Sequence, residues 1–462
     1  MDIIQAVESK ILQLVETVLE GINGESSFSE IQERLRAELN QVGVSLMKEV
    51  LEGLDKKIYE ERSARKGYHV AKRDQKNTVV TLFGEMAYHR NYYRDKATGM
   101  HVYLADEQVG ITPHMRVDPA VKAALMEDAS HISYERATEQ FEKNSGVKLS
   151  RQTVAKTVKS FPRQKPVEPE VKKQVKKLYI ECDEDHVSCR NRPGLQARLI
   201  YIHEGYLGSK KRPVLKNAHH FTTVNLAPLS FWFEVCDYIA SHYDLFYLEE
   251  IFISGDGANW IRTGKEVIPG NTFVLDRFHL AKYITAATAH IKGLKSKVYK
   301  QIEGLNLPGI IDHLKGAVDL ADTEARQKRI KETIRYIQNN WDGIKASVEH
   351  PEITCSAEGH VSHVLSARMS SRPMAWSVNG AEKMAYMRAV KANKENIKDL
   401  YLKERPKEQP LFVLKEEAEK QLRKLKNRKS YGQECRSNVP LSQGGFNLTR
   451  DAINHLKNNF AV

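Results

Sequence analysis

The sequence predicts a multidomain α+β protein: a helical N-terminal region with a small β-meander and a helix-turn-helix, then an α/β domain carrying an α-helical insertion. Three observations carry that prediction. Apolar residues recur at helical spacing up to about Arg65, short apolar runs separated by turn residues fill Thr78 to Tyr103, and strand and helix patterns alternate from Leu178 to Arg277. A chain of 462 residues has length for roughly two to four domains with buried cores.

Composition narrows the function classes. There are 71 Lys+Arg against 59 Asp+Glu, a net charge of +12, which favours polyanionic partners, although a solvated surface produces the same excess. With 41% apolar residues, 26 Gly and 15 Pro, the chain is neither collagen-like nor disordered. No apolar stretch approaches the roughly 18 residues of a membrane helix, and the N-terminus lacks a basic segment followed by an apolar one, so a cytoplasmic protein is expected. The five cysteines (Cys182, Cys189, Cys236, Cys355, Cys435) are scattered and never spaced as CxxC. That disfavours a disulfide framework and a structural zinc site, and fits a reducing compartment.

In chain order, residues 1–75 form the helical region: Ile4, Val7, Ile11, Val15 and Leu19 share a helix face, and Ser27 with Glu30 resembles a capping box opening a second helix. Residues 76–117 read as a meander of three strands, broken at Gly84-Glu85 and between Asp95 and Gly99. Residues 118–162 read as the helix-turn-helix. Ser133 caps a helix with Ala137 and Phe141, Asn144-Ser145-Gly146 turns the chain, and Ser150 caps a second helix with Val154, Val158 and Phe161 inside. That second helix exposes Arg151, Gln152, Lys156 and Lys159, groups able to reach base edges and phosphates in a major groove. An ordinary helical hairpin with a basic solvated face fits the same pattern.

A linker with Pro162, Pro166, Pro169 and the pairs Lys172-Lys173 and Lys176-Lys177 leads into the domain at 170–400. Strands are expected at Leu178 to Val187, Gln196 to His203 and His219 to Val224, then a helix from Leu229 to Tyr247 and a strand at Glu250 to Gly255. A helix near Ala258, a strand at Thr272 to Leu275 and a helix from Arg277 follow. This is the element order of a ribonuclease-H-like sheet, an order other α/β arrangements share. About 292–350 is basic and helical, without strand signals, as an insertion would be, and 401–462 is a basic helical region, densest at Lys420 to Lys429.

Three acidic positions stand out on those elements. Asp183 lies in the first strand of the domain and shares a face with Asp185, Asp256 sits between two glycines just after an apolar strand, and Glu358 can open a helix that also presents Ser362, Arg368 and Arg372. Two Asp and a Glu supply hard oxygen ligands for a pair of Mg²⁺ or Mn²⁺ ions in phosphoryl transfer, chemistry that needs neither Cys nor a nucleophilic Ser. In a chain with 59 acidic residues, three surface carboxylates are the bland alternative. Asp276 follows another apolar strand, and His279 three residues on can orient a ligand, contact DNA or be a buried structural histidine.

Four strings carry a resemblance: Tyr179 to Val187, Ile253 to Ile261, Leu275 to Lys282, and Cys355 to Ser366 with Arg372-Pro373-Met374. Over essentially the full length they resemble the ISLre2 family of bacterial insertion-sequence transposases, also catalogued as uncharacterised UPF0236 proteins. More distantly the chain is similar to Mutator-like DDE transposases, which share a helical insertion before the Glu and an Asp/Cys-x-x-His element. The resemblance implies a ribonuclease-H-like DDE recombinase with Asp183, Asp256 and Glu358 as catalytic metal ligands, Asp185 as the alternative to Asp183, and Asp276 with His279 as supporting residues. It implies two Mg²⁺ (or Mn²⁺) ions, double-stranded DNA of the terminal inverted repeats and the target as partner, and at least a homodimer in the synaptic complex, in a cytoplasmic, nucleoid-associated protein. The rival expectations are a structure-selective nuclease that cuts without joining and a DNA-binding regulator that does not cut.

Overall fold

The computed structural model describes residues 3–24, 26–208 and 214–403 and is a mixed α/β fold, about half helical, whose contacts divide it into two units. One is built mainly from residues up to Met126 with Ser133–Val154, the other from Glu127–Ile132 with Ala155–Tyr401. The basic segment around Lys420 and Cys435 lies outside the described residues.

In the first unit, α1 (Ile3–Asn23) packs against α2 (Phe28–Glu60), which opens on a capping box: Ser27 Oγ accepts from Glu30 N–H, and the Glu30 carboxylate accepts from Ser27 N–H. Strands β1 (Tyr68–Thr81), β2 (Gly84–Asp95) and β3 (His101–Val102) form an antiparallel meander, with α3 (Leu104–Gln108) after it. Leu51, Leu54 and Ile58 of α2 cover Val79, Met86, Tyr88 and Tyr93 of the sheet. β1 starts ten residues earlier than the apolar run at Thr78 predicts. Its first half is polar and largely exposed, so no hydrophobic alternation reveals it, and it is held by backbone pairing to β2.

After α4 (Pro119–Ala129) come α5 (Tyr134–Ser145), capped by Ser133 and closed by Gly146 at φ 72°, and α6 (Arg151–Lys159). Ser150 Oγ accepts from Thr153 N–H at 3.1 Å. Along α6, Val154, Thr157 and Val158 are buried while Arg151, Gln152, Lys156 and Lys159 are exposed.

The second unit is built on a five-stranded sheet. β4 (Lys177–Val187), β5 (Leu195–His203) and β8 (His219–Thr223) run antiparallel, with β6 (Tyr206–Leu207) and β7 (Val214–Leu215) forming a small arm between the last two. After α7 (Pro228–His242), β9 (Glu250–Gly255) pairs parallel with β4; after α8 (Asn259–Val267), β10 (Asn271–Leu275) pairs parallel with β9. The spatial order is β10-β9-β4-β5-β8. α7 ends five residues before the expected Tyr247, because Tyr243 turns extended and Asp244 N–H and Lys173 N–H bond across the chain instead.

Helices α9 (Arg277–Thr288), α10 (Leu294–Glu303), α11 (Leu307–Asp319), α12 (Glu324–Asn339) and α13 (Trp341–Glu349) follow without a strand. Val298, Ile310, Leu314, Ile330, Ile337 and Ile344 share one core with the sheet residues Ile180, Ile253 and Leu275, so the inserted helices are integral to this unit. The chain then forms α14 (Ala357–Val361), a π turn at Ser362–Ser366, and α15 (Ala367–Met369), α16 (Val378–Ala392) and α17 (Ile397–Lys403). No helix among the described residues is long and apolar enough to cross a membrane.

Candidate functional site

Alternation along β4 divides its side chains into two sets. Leu178, Ile180 and Cys182 join the core that includes Phe231, Trp232 and Val235 of α7, while Glu181, Asp183 and Asp185 turn to the opposite face. The register Glu181↔Ser254, continued two residues, sets Asp183 level with Asp256, and Leu275↔Gly255 sets Asp276 level with Asp256. Three neighbouring parallel strands thus each deliver an aspartate at one level, the edge where α/β sheets build their sites.

Asp183, Glu358 and His279 converge: one potential ligand atom from each lies within 4.8 Å of the other two. Asp183 is 6% exposed and Glu358 is open to solvent. Burial pushes the Asp183 carboxyl up to about 7; the Glu184 N–H and His279 pull it down, and Asp256 and Glu358 push it further up. His279 rises above its ordinary value chiefly through its hydrogen bond to Asp276. Asp276 accepts from His279 Nδ1 at 2.7 Å and from Phe278 N–H at 2.9 Å, so the same carboxylate caps α9 and fixes the imidazole. Asp185 is engaged elsewhere, accepting the Ser370 hydroxyl at 2.8 Å, and is not part of the convergent trio.

Asp256 stands on a tight turn whose shape the inserted helices set. Its Oδ1 accepts from Ala258 N–H at 2.9 Å, and Tyr336 of α12 donates its hydroxyl to the Asp256 carbonyl at 2.8 Å. Gly257 has φ +82°, and a Cβ there would meet Asn340 Oδ1 at 2.1 Å, so both conformation and space require glycine. Arg277 donates to the carbonyls of Ser347, His350 and Pro351, closing the end of α13 from which the chain runs on to Glu358.

Sequence reasoning missed the group that anchors Glu358. Glu181, 2% exposed, accepts from Tyr201 Oη (2.5 Å), Tyr206 Oη (2.9 Å), Ser356 N–H (2.5 Å) and Ser356 Oγ (3.1 Å), and meets His203 Nε2 at 3.0 Å. Burial raises its pKa, yet these partners, His203 first, hold it below the ordinary value. The available signal was an acid between Ile180 and Cys182 in an otherwise apolar strand half, on the face of Asp183. Tyr336 and Asn340 gave no sequence signal. Of the groups expected beside Glu358 on its helix, Arg368 is buried and donates to the Ala129 carbonyl, and Arg372 falls beyond the helix end at Met369; the π turn at Ser362 redirects the face that a continuous helix would present. Arg151, Gln152, Lys156 and Lys159 are an exposed face of α6, and none is a member of the trio.

Fold and site together define a mixed α/β protein of two units with a carboxylate and imidazole cluster at the ends of parallel strands. The chain belongs to the uncharacterised protein family UPF0236, whose family model matches residues 22–434. It is similar to a UPF0236 protein of Caldanaerobacter subterraneus subsp. tengcongensis, 35% identical over 391 residues and 84% of each chain. A second protein of that strain, whose name joins eleven locus designations, is 36% identical over 377 residues, 81% of this chain and 80% of its own. A Streptococcus gallolyticus relative, named as a UPF0236 protein in the vanSb 3′ region, is 23% identical over 382 residues, 79% of this chain and 83% of its own.

Proposed function

We propose that this chain is a DDE transposase of the ISLre2 type, which binds the terminal inverted repeats of its own element and catalyses divalent-metal-dependent DNA strand cleavage and transfer from a ribonuclease-H-like domain. The observation that carries the reading is the approach of Asp183 and Glu358, distant in sequence, at the strand edge where Asp256 stands level with Asp183. The sheet order, three antiparallel strands followed by two parallel ones across β4, supports the ribonuclease-H-like assignment. A relative whose one name joins eleven loci of one strain is what a gene copied around a genome would produce.

The donor set fits a divalent ion. The nearly buried Asp183 and the solvent-open Glu358 bring carboxylate oxygens within 4.8 Å of each other, hard donors of the kind such ions take. In this reading Asp183, Asp256 and Glu358 are the residues that would hold the Mg²⁺ or Mn²⁺ ions. When bound, the pair supplies a more acidic attacking water or 3′-hydroxyl and charge neutralisation at the leaving oxygen. The chain's part is placement: Glu181 and Arg277 fix the approach to Glu358, Tyr336 and Asn340 fix the Asp256 turn, and Asp276 fixes His279. Exposed Arg151, Gln152, Lys156 and Lys159 of α6 are the proposed DNA-reading face.

The test uses the DNA flanking the gene. Wild-type protein with a duplex carrying one flanking inverted repeat, a supercoiled target and Mg²⁺ should covalently join the end to the target. Cutting without joining would favour a nuclease, and binding without cutting a regulator.

A further inference from the structure

We propose that His279 is a direct nitrogen ligand of the ion held by Asp183 and Glu358, with Asp276 as the carboxylate that orients its ring, so that this site prefers Mn²⁺ over Mg²⁺. The inference deepens the reading above and rests on it.

The geometry has two independent parts. First, His279 and not Asp256 completes the trio whose ligand atoms lie mutually within 4.8 Å, so the imidazole reaches the place where an ion bridging Asp183 and Glu358 would sit. Second, one nitrogen of the ring is already engaged. Asp276 Oδ2 lies 2.7 Å from Nδ1, and its other oxygen is fixed by Phe278 N–H at the start of α9. A carboxylate at Nδ1 keeps the ring proton there and leaves the Nε2 lone pair as the coordinating one, the arrangement by which metal-bound histidines are usually held. Asp183 adds demand for a cation. It is nearly buried, Glu184 N–H bonds only its Oδ1, and no hydrogen bond among the described residues reaches Oδ2.

Chemistry then sets the preference. An all-oxygen site suits Mg²⁺, which keeps most of its waters and takes few protein ligands, whereas imidazole raises affinity for later divalent ions such as Mn²⁺. Two carboxylates and one imidazole therefore favour Mn²⁺ at this position.

The experiment adds Mn²⁺ alone to the full chain without DNA, measures affinity by calorimetry, and reads the coordination sphere by pulsed electron paramagnetic resonance. The expected result is a nitrogen hyperfine coupling in the wild type, at least tenfold tighter binding of Mn²⁺ than of Mg²⁺, and loss of the coupling in His279→Gln. His360→Gln, altering the histidine two residues after Glu358, should keep it. Asp276→Asn should weaken Mn²⁺ binding about 10- to 100-fold. Because the decisive spectrum is of the wild type, a variant that fails to fold does not protect the idea. Bound Mn²⁺ without nitrogen coupling, or coupling that persists in His279→Gln, overturns this proposal and leaves the DDE reading standing. No Mn²⁺ binding at millimolar concentration overturns both.

Discussion

Glu181 accepts both the backbone N–H and the hydroxyl of Ser356, and each residue stands two positions before a carboxylate of the cluster, Asp183 and Glu358 respectively. One buried contact thus sets the approach of two chain segments that supply the site. Removing the hydroxyl in Ser356→Ala should cost about 1.5 to 3 kcal/mol, as for other hydrogen bonds to charged groups. Glu181→Ala strands His203, two tyrosines and Ser356 together and should cost about 3 to 5 kcal/mol. Denaturant titration separates the two. In Ser356→Ala, DNA cleavage should fall by more than DNA binding, and equal loss of both would remove the positioning role.

How much of this was legible beforehand differs by element. The strands Glu250–Gly255 and Asn271–Leu275 were readable because buried parallel strands are short apolar runs bounded by Gly or Asp, and Asp256 and Asp276 were readable as their C-terminal neighbours. The capping box at Ser27 was written in the residues themselves. The Glu181 clamp was not readable, since its partners come from β5, the β6 arm and the segment before α14, and no local spacing encodes such a meeting. The buried Arg368 was misjudged for the same reason: its acceptor, the Ala129 carbonyl, is remote in sequence.

Gly257 separates crowding from backbone strain. Gly270 also has positive φ, +66°, but open space around its missing Cβ, whereas a Cβ at Gly257 would overlap Asn340. Gly270→Ala should therefore cost about 1 kcal/mol, the usual penalty for a left-handed alanine. Gly257→Ala should cost about 1 to 3 kcal/mol more, because Asn340 and the Asp256 turn must shift, and should abolish cleavage. Thermal melts of the two variants check the order, and equal cost would remove the crowding argument.

The raised Asp183 makes the metal-free protein sensitive to pH. Folded Asp183 holds its proton up to about 7, against an ordinary 3.8, so between those values the folded chain binds a proton that the unfolded chain has released. Stability from this group is full below about 4 and is lost as pH rises through about 7, by no more than about 4 kcal/mol. In EDTA, Asp183→Asn should therefore be more stable than wild type at pH 8 and lose most of that advantage at pH 4. Mn²⁺ should restore the wild type alone. Parallel melting curves across pH would refute the burial effect at this position.

On α6, a base-reading side chain and a phosphate-contacting one should behave differently. Arg151→Ala or Gln152→Ala should cost about 1 to 3 kcal/mol at a matched base pair and flatten discrimination between terminal-repeat and random DNA. Lys156→Ala and Lys159→Ala should weaken both duplexes nearly alike and lower the salt slope by about one each. Binding titrations at several salt concentrations decide between these outcomes, and wild-type behaviour in all four would make the segment a structural hairpin.

The most direct test of the central claim is end joining by single-carboxylate variants. Purified Asp183→Ala, Asp256→Ala and Glu358→Ala, with Asp185→Ala as control, are given a terminal-repeat duplex, a supercoiled target and Mg²⁺, and covalently joined product is quantified beside duplex affinity. The expected result is no joined product from the first three, affinity within a few fold of wild type in all, and near-normal joining by Asp185→Ala. Wild-type joining by Asp183→Ala, Asp256→Ala or Glu358→Ala, or by the wild type in the presence of EDTA, would contradict it.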